Sequence, residues 1–324
     1  MAFPEKSILI VGGGIVGLCL AVTARARGFD VTVLARDAAR DTASGVAAGM
    51  IAPELEARGD THPQALPRLK AAQAAWLDLL PSWPAPVQAM LRWQQVEARN
   101  RFITADGNII EIPGDWLVDA GAMLSALEDG LADTGGVIVR GEVVALSANS
   151  VTLLDGRGFE AAHVVIAGGY ASRTFAATVP SLSALAPIKG HLFDLPGQGA
   201  PGVTRSAKGY LADYGAFAKF GASMEPGRDD IEVDPTVLAE LEGRAGNMFP
   251  AMSLEGAVPR VGIRAGTPDT WPLIGRDAVS GVWVATGMRR NGFVFAPYAA
   301  SVILDRLAGH ERPDAAIYDP QRFA

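Results

Sequence analysis

The glycine-rich segment Gly12-Gly13-Gly14-Ile15-Val16-Gly17 constrains the fold more than any other part of the chain. It follows the short apolar run Ser7–Val11 and precedes a helical stretch at 18–27, and Asp30–Leu34 is predicted as a second strand. In such a unit the first glycine permits a tight turn, the second lets the backbone approach a pyrophosphate, and the third lets helix and strand pack closely. The spacing therefore predicts a doubly wound sheet that binds a dinucleotide at the helix N-terminus.

The second strand does not end in the acidic residue that usually binds the ribose hydroxyls in such a unit. Ala35 occupies that position and is followed by Arg36 and Asp37. An arginine here is typical of enzymes that bind the 2′-phosphate of NADP. A solvated Arg36, an Arg36 stacked on the adenine, or an Asp37 that reaches the ribose would instead be compatible with FAD. The glycine motif alone leaves both dinucleotides open.

Sheet-type segments are spread along the chain, and this pattern indicates two interleaved domains. A length of 324 residues is itself typical of about two domains. Val164–Ala167 and 282–285 are predicted as further buried strands, and antiparallel strands are expected at 188–195 and 209–220. We predict an α/β fold in which a doubly wound, Rossmann-like dinucleotide domain is interleaved with a smaller substrate domain on a mixed or antiparallel sheet. The first takes 1–60, 135–178 and 260–324, and the second 61–134 and 179–259.

Helices are predicted where capping residues meet a helical pattern. Asp119 and Asp234 are suited to cap helices, and Pro235 suits a first helical position. Further helices are expected at 64–80 and at 296–307, the latter with a proline near its start.

Composition narrows the classes of function. The formal net charge is −7, which gives no general attraction for nucleic acid or an anionic membrane. One cysteine and four well-separated histidines make a disulfide framework or a metal site unexpected. We find neither a signal-like stretch nor a run of about 18 apolar residues that could span a membrane. A cytoplasmic enzyme with a small-molecule substrate is expected, and a homo-oligomer is left open.

Four further segments carry a resemblance to a known family. They match in order along nearly the whole chain, and the chain is thereby similar to the D-amino-acid oxidase and glycine oxidase family of FAD enzymes. The segments are Ser44–Met50, Val164–Ser172, Gly262–Gly275 and Thr286–Pro297. Departures from the family pattern are Ala35 at the ribose acid, Met288 where a histidine is common, and Ala265 in place of a proline.

The resemblance implies non-covalent FAD and an oxidation of the C–N bond of a small amino acid or amine, such as glycine, sarcosine or a D-amino acid. Hydride would pass to flavin N5, the imine would hydrolyse to a keto acid and ammonia, and oxygen would be reduced to hydrogen peroxide. Three alternatives stay open: a dehydrogenase of the same fold that passes electrons to a quinone or carrier, an NADP-dependent reductase, and a non-catalytic flavoprotein.

The resemblance also implies four catalytic positions. Arg264 matches a clamp for the substrate carboxylate, and the alternative is a structural arginine that pairs with Asp269 or another acid. Tyr210 matches a second carboxylate contact, with Tyr214 as its competitor. Arg290 is expected to contact the substrate carboxylate or the flavin, whereas Arg289 is expected to be solvated. Met50 is expected to face the flavin, although methionine in such a loop often only packs.

The cofactor is expected to lie on the glycine loop, the second loop and the start of the 296–307 helix, whose positive end would face the flavin pyrimidine. The predicted FAD contacts are Gly12, Gly14, Ile15, Val16, Gly17, Arg36, Ser44, Ala47, Ala48, Gly49, Met50, Val143, Gly168, Gly287, Arg290, Asn291, Gly292, Phe293 and Val294.

Overall fold

The computed structural model describes residues 4–60, 62–90, 99–199 and 201–323. Its strands are β1 (Ser7–Val11), β2 (Asp30–Ala35), β3 (Met50–Ile51), β4 (Arg99–Ile103), β5 (Ile109–Glu111), β6 (Trp116–Leu117), β7 (Val137–Arg140), β8 (Val143–Leu146), β9 (Ser150–Leu153), β10 (Gly158–Glu160), β11 (His163–Ile166), β12 (Ala186–Pro196), β13 (Gly202–Ser206), β14 (Gly209–Asp213), β15 (Phe217–Gly221), β16 (Glu225–Pro226), β17 (Val258–Gly266), β18 (Leu273–Arg276) and β19 (Trp283–Thr286). Its helices are α1 (Ile15–Ala26), α2 (Ala43–Val46), α3 (Pro53–Ala57), α4 (Ala65–Leu79), α5 (85–90), α6 (Ala120–Asp133), α7 (Pro235–Met248) and α8 (Gly292–Leu307).

A six-stranded sheet in the order β18-β19-β11-β1-β2-β7 contains the predicted doubly wound unit. Its strands are parallel except for β18, which runs antiparallel to β19 at one edge. Strand β1 lies in the middle and is buried on both faces, as central parallel strands are. Ile8 and Ile10 pack against α1, α4, α6 and α8, whereas Leu9 and Val11 face a core that the three-stranded sheet β10-β9-β8 covers. The α/β fold class is confirmed.

A second, eight-stranded sheet has seven strands in the order β16-β12-β15-β14-β13-β4-β5. Its eighth strand, β17, pairs with β12. Helix α7 packs on one of its faces through Leu241 and Ala245. The opposite face meets the Ser44–Met50 loop. Strand β17 crosses the boundary that the sequence suggested at residue 260, so part of the predicted cofactor segment belongs to this sheet. The division into domains at the stated bounds remains a prediction.

The predicted capping residues act as expected. The Asp119 carboxylate accepts a hydrogen bond from Ala122 N at 3.1 Å, and the Asp234 carboxylate accepts one from Thr236 N at 3.0 Å, directly before Pro235. These bonds satisfy amide groups that the first turn of a helix leaves free. No helix in the described parts of the chain is long and apolar enough to cross a membrane.

The last long helix begins earlier than predicted. Sequence reasoning placed its start at Ala296, but α8 begins at Gly292, so that Pro297 lies inside it. A proline there cannot donate to the carbonyl four residues before it. That carbonyl, Phe293 O, accepts instead from the indole Nε1 of Trp76 at 2.8 Å. The helix is therefore completed by a side chain of α4.

Candidate active site

The glycine loop has the backbone that its sequence predicts. Gly12 has a φ of 125°, and a Cβ there would lie 2.5 Å from Ala167 O. A Cβ at Gly17 would lie 1.9 Å from Gly12 O, so α1 can pack on the loop only with glycine at this position. Helix α1 then starts without an acidic residue in its first turn and without a side-chain cap from Gly14. Such a start is suited to an anion such as a pyrophosphate.

Ser44 connects the two predicted cofactor loops. The Ile15 N–H donates to Ser44 Oγ at 3.1 Å, and a Cβ at Gly14 would lie 3.0 Å from the same oxygen. The structure thus brings the second loop directly against the first turn of α1. The pairing of these loops was implied only by the family resemblance.

The second loop is fixed on its other side by the eight-stranded sheet. Lys219 Nζ donates to Val46 O at 2.9 Å, and the Tyr214 hydroxyl donates to Ala48 O. Gly49 has a φ of 64°, and a Cβ there would lie 2.0 Å from Val118 O. The loop therefore has little freedom to move, which suits a wall of a cofactor site.

The start of α8 lies beside the start of α1. A Cβ at Gly292 would lie 3.6 Å from Ile15 Cγ2, so the positive ends of the two helix dipoles are neighbours. Phe293 and Val294 are buried in the helix-side core, so these two residues could meet a cofactor only through their backbone. Gly168 N lies 2.7 Å from the Cβ position of Gly12, and Gly287 has a φ of 76°. These positions form a cradle without bulky side chains that fits a dinucleotide.

The ribose end of this cradle differs from the usual pattern. Ala35 is buried, and its Cβ lies 2.9 Å from the Cβ position of Gly13. Arg36 pairs with Asp37 at 2.8 Å, and its side chain is 58% exposed. The Asp37 carboxylate is thus engaged by its neighbour, and its carbonyl accepts from Arg140 Nη1 at 2.6 Å. Val143, predicted to contact the cofactor, is half-buried at the edge of the sheet-side core.

The sheet places Arg264, Tyr210 and Arg205 on one face. Arg205 is paired with Tyr210, and Tyr210 with Gly221, and residues paired across strands share a face of the sheet. The pairing continues from β15 to β12 and from β12 to β17, and it places Arg264 on the same face. Two glycines make room for the large side chains. A Cβ at Gly190 would lie 2.2 Å from Arg264 Nη1, and a Cβ at Gly221 would lie 3.2 Å from the Tyr210 hydroxyl. The side chain of Arg264 therefore lies over the backbone of Gly190, and that of Tyr210 lies over the backbone of Gly221.

Arg264 has no carboxylate partner within the described residues. Its Nη1 donates to Ser223 O at 3.3 Å and contacts Met224 Sδ at 3.5 Å. The alternative of a structural pair with Asp269 is wrong, because Asp269 pairs with Arg322 at 2.8 Å. Burial lowers the pKa of the Arg264 guanidinium, and the neighbouring Tyr210 opposes that shift. A half-buried cation bound only to neutral atoms favours an anionic ligand.

Arg290 pairs with a residue that the sequence did not single out. Its Nε lies against Glu56 Oε2, and Arg205 Nη1 lies against the other oxygen of the same carboxylate. The Glu56 side chain is 6% exposed. Nothing in the sequence separates Glu56 from its more exposed neighbour Glu54, since both lie in the short helix α3. Arg205 likewise gave no signal, and its strand β13 lies outside the strands predicted at 188–195 and 209–220.

Asp115 holds helix α3 in place. Its carboxylate accepts from Glu54 N and Leu55 N at 2.9 Å each, and it is buried. Burial raises the pKa of Asp115 to about 6. The helix that carries Glu56 is thus capped by a carboxylate from a distant loop.

The two tyrosine candidates differ in the use of their hydroxyls. Tyr214 stacks on Phe217 with ring centroids 4.4 Å apart and donates its hydroxyl to Ala48 O. The Tyr210 hydroxyl makes no hydrogen bond with any residue that the structure describes, and burial raises its pKa. Met50 is half-buried in the same apolar cluster as both tyrosines. Tyr210 is thus the tyrosine with a free donor beside Arg264.

Fold and site together define a dinucleotide-binding oxidoreductase. The chain belongs to the DAO family of FAD-dependent oxidoreductases, whose family model matches residues 7–82 and 61–306. FAD is therefore its cofactor, and the NADP alternative raised by Arg36 is wrong. The residues described above would hold FAD at the cradle; each individual contact remains a prediction.

Similar proteins fall into more than one functional group. The chain is 32% identical, over 93% of its length, to the "tRNA 5-methylaminomethyl-2-thiouridine biosynthesis bifunctional protein MnmC" of Caulobacter vibrioides, of which it covers 54%. It is 28% identical, over 98% of its length, to the "Bifunctional protein ThiO/ThiG" of Synechocystis, of which it also covers 54%. The chain thus spans about half the length of these curated relatives. The glycine oxidase of Geobacillus kaustophilus shares its fold, with a TM-score of 0.82, 22% identity and 97% and 98% of the two chains covered.

Proposed function

We propose that the chain oxidises the C–N bond of a small amino acid or amine whose carboxylate binds Arg264. One observation carries the proposal: the Arg264 guanidinium is half-buried on the sheet face, next to Tyr210, and is bound only to neutral atoms. A planar guanidinium makes two parallel hydrogen bonds to a carboxylate, and the Tyr210 hydroxyl supplies one more donor.

The protein's contribution is to bind and orient the substrate. Arg264 and Tyr210 fix the carboxylate, and this fixes the direction in which the neighbouring carbon presents its C–H bond. Arg290 and Arg205 share the single carboxylate of Glu56, so both arginines are paired and the three groups together keep one positive charge. The adjacent N-termini of α1 and α8 stabilise negative charge at the cofactor.

When bound at the cradle, FAD would supply the oxidising chemistry for loss of a hydride from the carbon next to the amine, and hydrolysis of the product imine would give a keto acid and ammonia. Oxygen is the proposed acceptor of the electrons, with hydrogen peroxide as the second product. A quinone or protein carrier is the alternative. Peroxide formed in stoichiometric amounts under air supports oxygen, whereas turnover that needs an added quinone identifies a dehydrogenase.

The variant Arg264→Ala tests the carboxylate role. We expect it to bind FAD as the wild type does and to lose roughly 100-fold or more in kcat/KM for amino acids, since a half-buried charged hydrogen bond to the substrate is lost. Anaerobic flavin reduction measured against glycine, sarcosine and D-alanine gives this ratio. Arg260→Ala is the control, because Arg260 lies on the same strand, is paired with Asp194 at 3.5 Å, and has a side chain 36% exposed. Unchanged substrate affinity in Arg264→Ala contradicts the proposal.

A second candidate is the same C–N chemistry on the aminomethyl side chain of a modified tRNA uridine. It is favoured by the name of the Caulobacter relative, with 32% identity over 93% of this chain. The net charge of −7 argues that this chain would bind tRNA weakly without help. Flavin reduction by bulk tRNA that disappears after nuclease treatment, without reduction by any free amino acid, would establish this candidate over the first.

A further inference from the structure

An open cleft of about 520 Å³ adjoins the pair Arg290–Glu56. Gly59 lines the cleft and also contacts this pair, because a Cβ at Gly59 would lie 3.0 Å from Arg290 Nη2. The cleft therefore lies next to the arginine–carboxylate pair that borders the proposed substrate site. Its lining includes Gly59, Asp60, His62, Thr270, Trp271 and Arg289.

Arg289 is fixed beside the proposed carboxylate clamp by its backbone. Its N–H donates to Ala265 O at 2.7 Å, and Ala265 directly follows Arg264 in β17. The φ of Arg289 is 52°, a left-handed conformation that costs energy in a residue with a side chain. This turn sends consecutive arginines to different places: Arg290 to Glu56, and Arg289 to the cleft wall.

The Arg289 side chain has no partner in the described parts of the chain. It is half-buried, and neither a hydrogen bond nor an ion pair to it occurs there. Burial, followed by the charge of Arg290, lowers the pKa of Arg289. A half-buried, unpaired cation is unfavourable by itself and becomes favourable once an anion binds.

The acidic groups around the cleft are engaged elsewhere. Asp269 is held by Arg322 at 2.8 Å, and Glu56 is shared by two other arginines. Asp60 accepts from His62 N at 2.8 Å and acts on Arg289 through space without forming an ion pair. The site and cleft together therefore carry an excess of positive charge.

We propose that the substrate carries a second anionic group, a carboxylate or a phosphate, which binds Arg289 in this cleft while its first carboxylate binds Arg264. This rests on the proposed function insofar as Arg264 holds the first carboxylate. It makes Arg289 a specificity-determining residue and the preferred substrate a dianion rather than a simple amino acid such as glycine.

Binding can be tested without turnover. Oxydiacetate carries two carboxylates and no amine, and methoxyacetate is its analogue with one carboxylate. We expect the FAD-loaded wild type to bind oxydiacetate more tightly, as measured by the change in flavin absorbance. In Arg289→Gln the ratio of the two Kd values should fall by roughly 10-fold to 100-fold, the range for one charged hydrogen bond. Arg40→Gln is the control, because the Arg40 side chain is 84% exposed.

Turnover gives the second measurement. Iminodiacetate and N-(carbamoylmethyl)glycine have nearly the same shape and differ by one negative charge. Their ratio of kcat/KM should favour iminodiacetate in the wild type and fall in Arg289→Gln, with part of the preference restored in Arg289→Lys. A kcat/KM for N-(phosphonomethyl)glycine above that for iminodiacetate assigns the cleft to a phosphate-type group. A value below it assigns the cleft to a carboxylate.

The two proposals fail differently. Oxidation of monocarboxylate amines with no Arg289-dependent preference overturns the inference and leaves the proposed function intact. Arg289-dependent binding of oxydiacetate in a protein whose flavin no amine reduces supports the dianion site and overturns the proposed function. Equal Kd values for oxydiacetate and methoxyacetate in the wild type overturn the inference whatever the variants do.

Discussion

Glu56 is the carboxylate that pairs with the arginines beside the proposed substrate site. Its carboxylate pairs with two arginines from different parts of the fold, Arg205 on β13 and Arg290 before α8, and it is itself buried. Removing one partner of a buried ion pair leaves the others desolvated and uncompensated. We therefore expect a substitution of this one carboxylate to affect stability as well as binding at the proposed substrate site.

We predict that Glu56→Gln lowers the free energy of unfolding by roughly 3–5 kcal/mol, because two half-buried guanidinium groups lose the counter-charge that they share. Glu54→Gln on the same helix should cost less than about 1 kcal/mol, because Glu54 pairs with an exposed lysine. Urea denaturation of the two holoproteins measures both values. Equal destabilisation by the two variants would show that the Glu56 pairs do not stabilise the fold.

At this scale sequence reasoning found the residues that belong to motifs. Arg264 and Arg290 stand in segments that resemble a family, and the structure brings Arg264 close both to Tyr210 and to Arg290. Glu56 and Arg205 could not be found, since their importance comes from pairing across the fold. Arg289 was expected to be solvated, yet it lines a cleft; only its left-handed backbone, which a sequence does not reveal, turns it there.

At the scale of elements, the contact between α4 and α8 completes a helix that has a proline in it. Trp76 on α4 donates to Phe293 O, the carbonyl that Pro297 leaves without its usual partner. The early start of α8 depends on this bond, since an unsatisfied buried carbonyl would be costly. Periodicity and capping patterns predicted the later start, because they treat each helix without its neighbours.

We predict that Trp76→Phe destabilises the protein by roughly 1–3 kcal/mol through the unsatisfied carbonyl and lost packing. Adding Pro297→Ala should recover part of this loss, because an alanine at that position would supply the missing N–H. Thermal or urea denaturation of the four proteins of this cycle gives the coupling energy. In a cycle with Trp83→Phe, whose indole donates to Thr23 Oγ1, the coupling to Pro297→Ala should be near zero. Additive effects in the Trp76 cycle would refute the proposed role of the indole.

At the scale of the whole molecule, the cofactor cradle is built from segments that lie far apart along the chain. The glycine loop, the Ser44–Met50 loop and the start of α8 meet around Ile15. A ligand that binds only this assembled arrangement stabilises the whole fold. The parallel sheet and its glycine loop could be predicted from sequence. The antiparallel cover β10-β9-β8 and the reach of β17 could not, because strand pairing is set by partners distant in sequence.

We predict that FAD stabilises the apoprotein more than FMN does. At 100 times its Kd, FAD should add about 2.7 kcal/mol to the free energy of unfolding. FMN at the same concentration should add less, since it lacks the adenosine half that the Gly12–Gly17 loop is expected to bind. Denaturation curves with each ligand give the comparison. Equal stabilisation by the two flavins would remove the glycine loop from the cofactor site.

The neighbouring starts of α1 and α8 also determine when the protein can become functional during its synthesis. Ile15 and Gly292 touch in the folded chain, but the ribosome needs roughly 14 to 55 s to make the residues between them. Strand β1 is likewise made well before its partner strand β11. For that interval the most apolar strand of the sheet lacks its later neighbour and the cofactor lacks half of its cradle. The emerging chain therefore exposes an apolar strand for that interval, and the proposed cradle for FAD is complete only after nearly all of the described chain has been made.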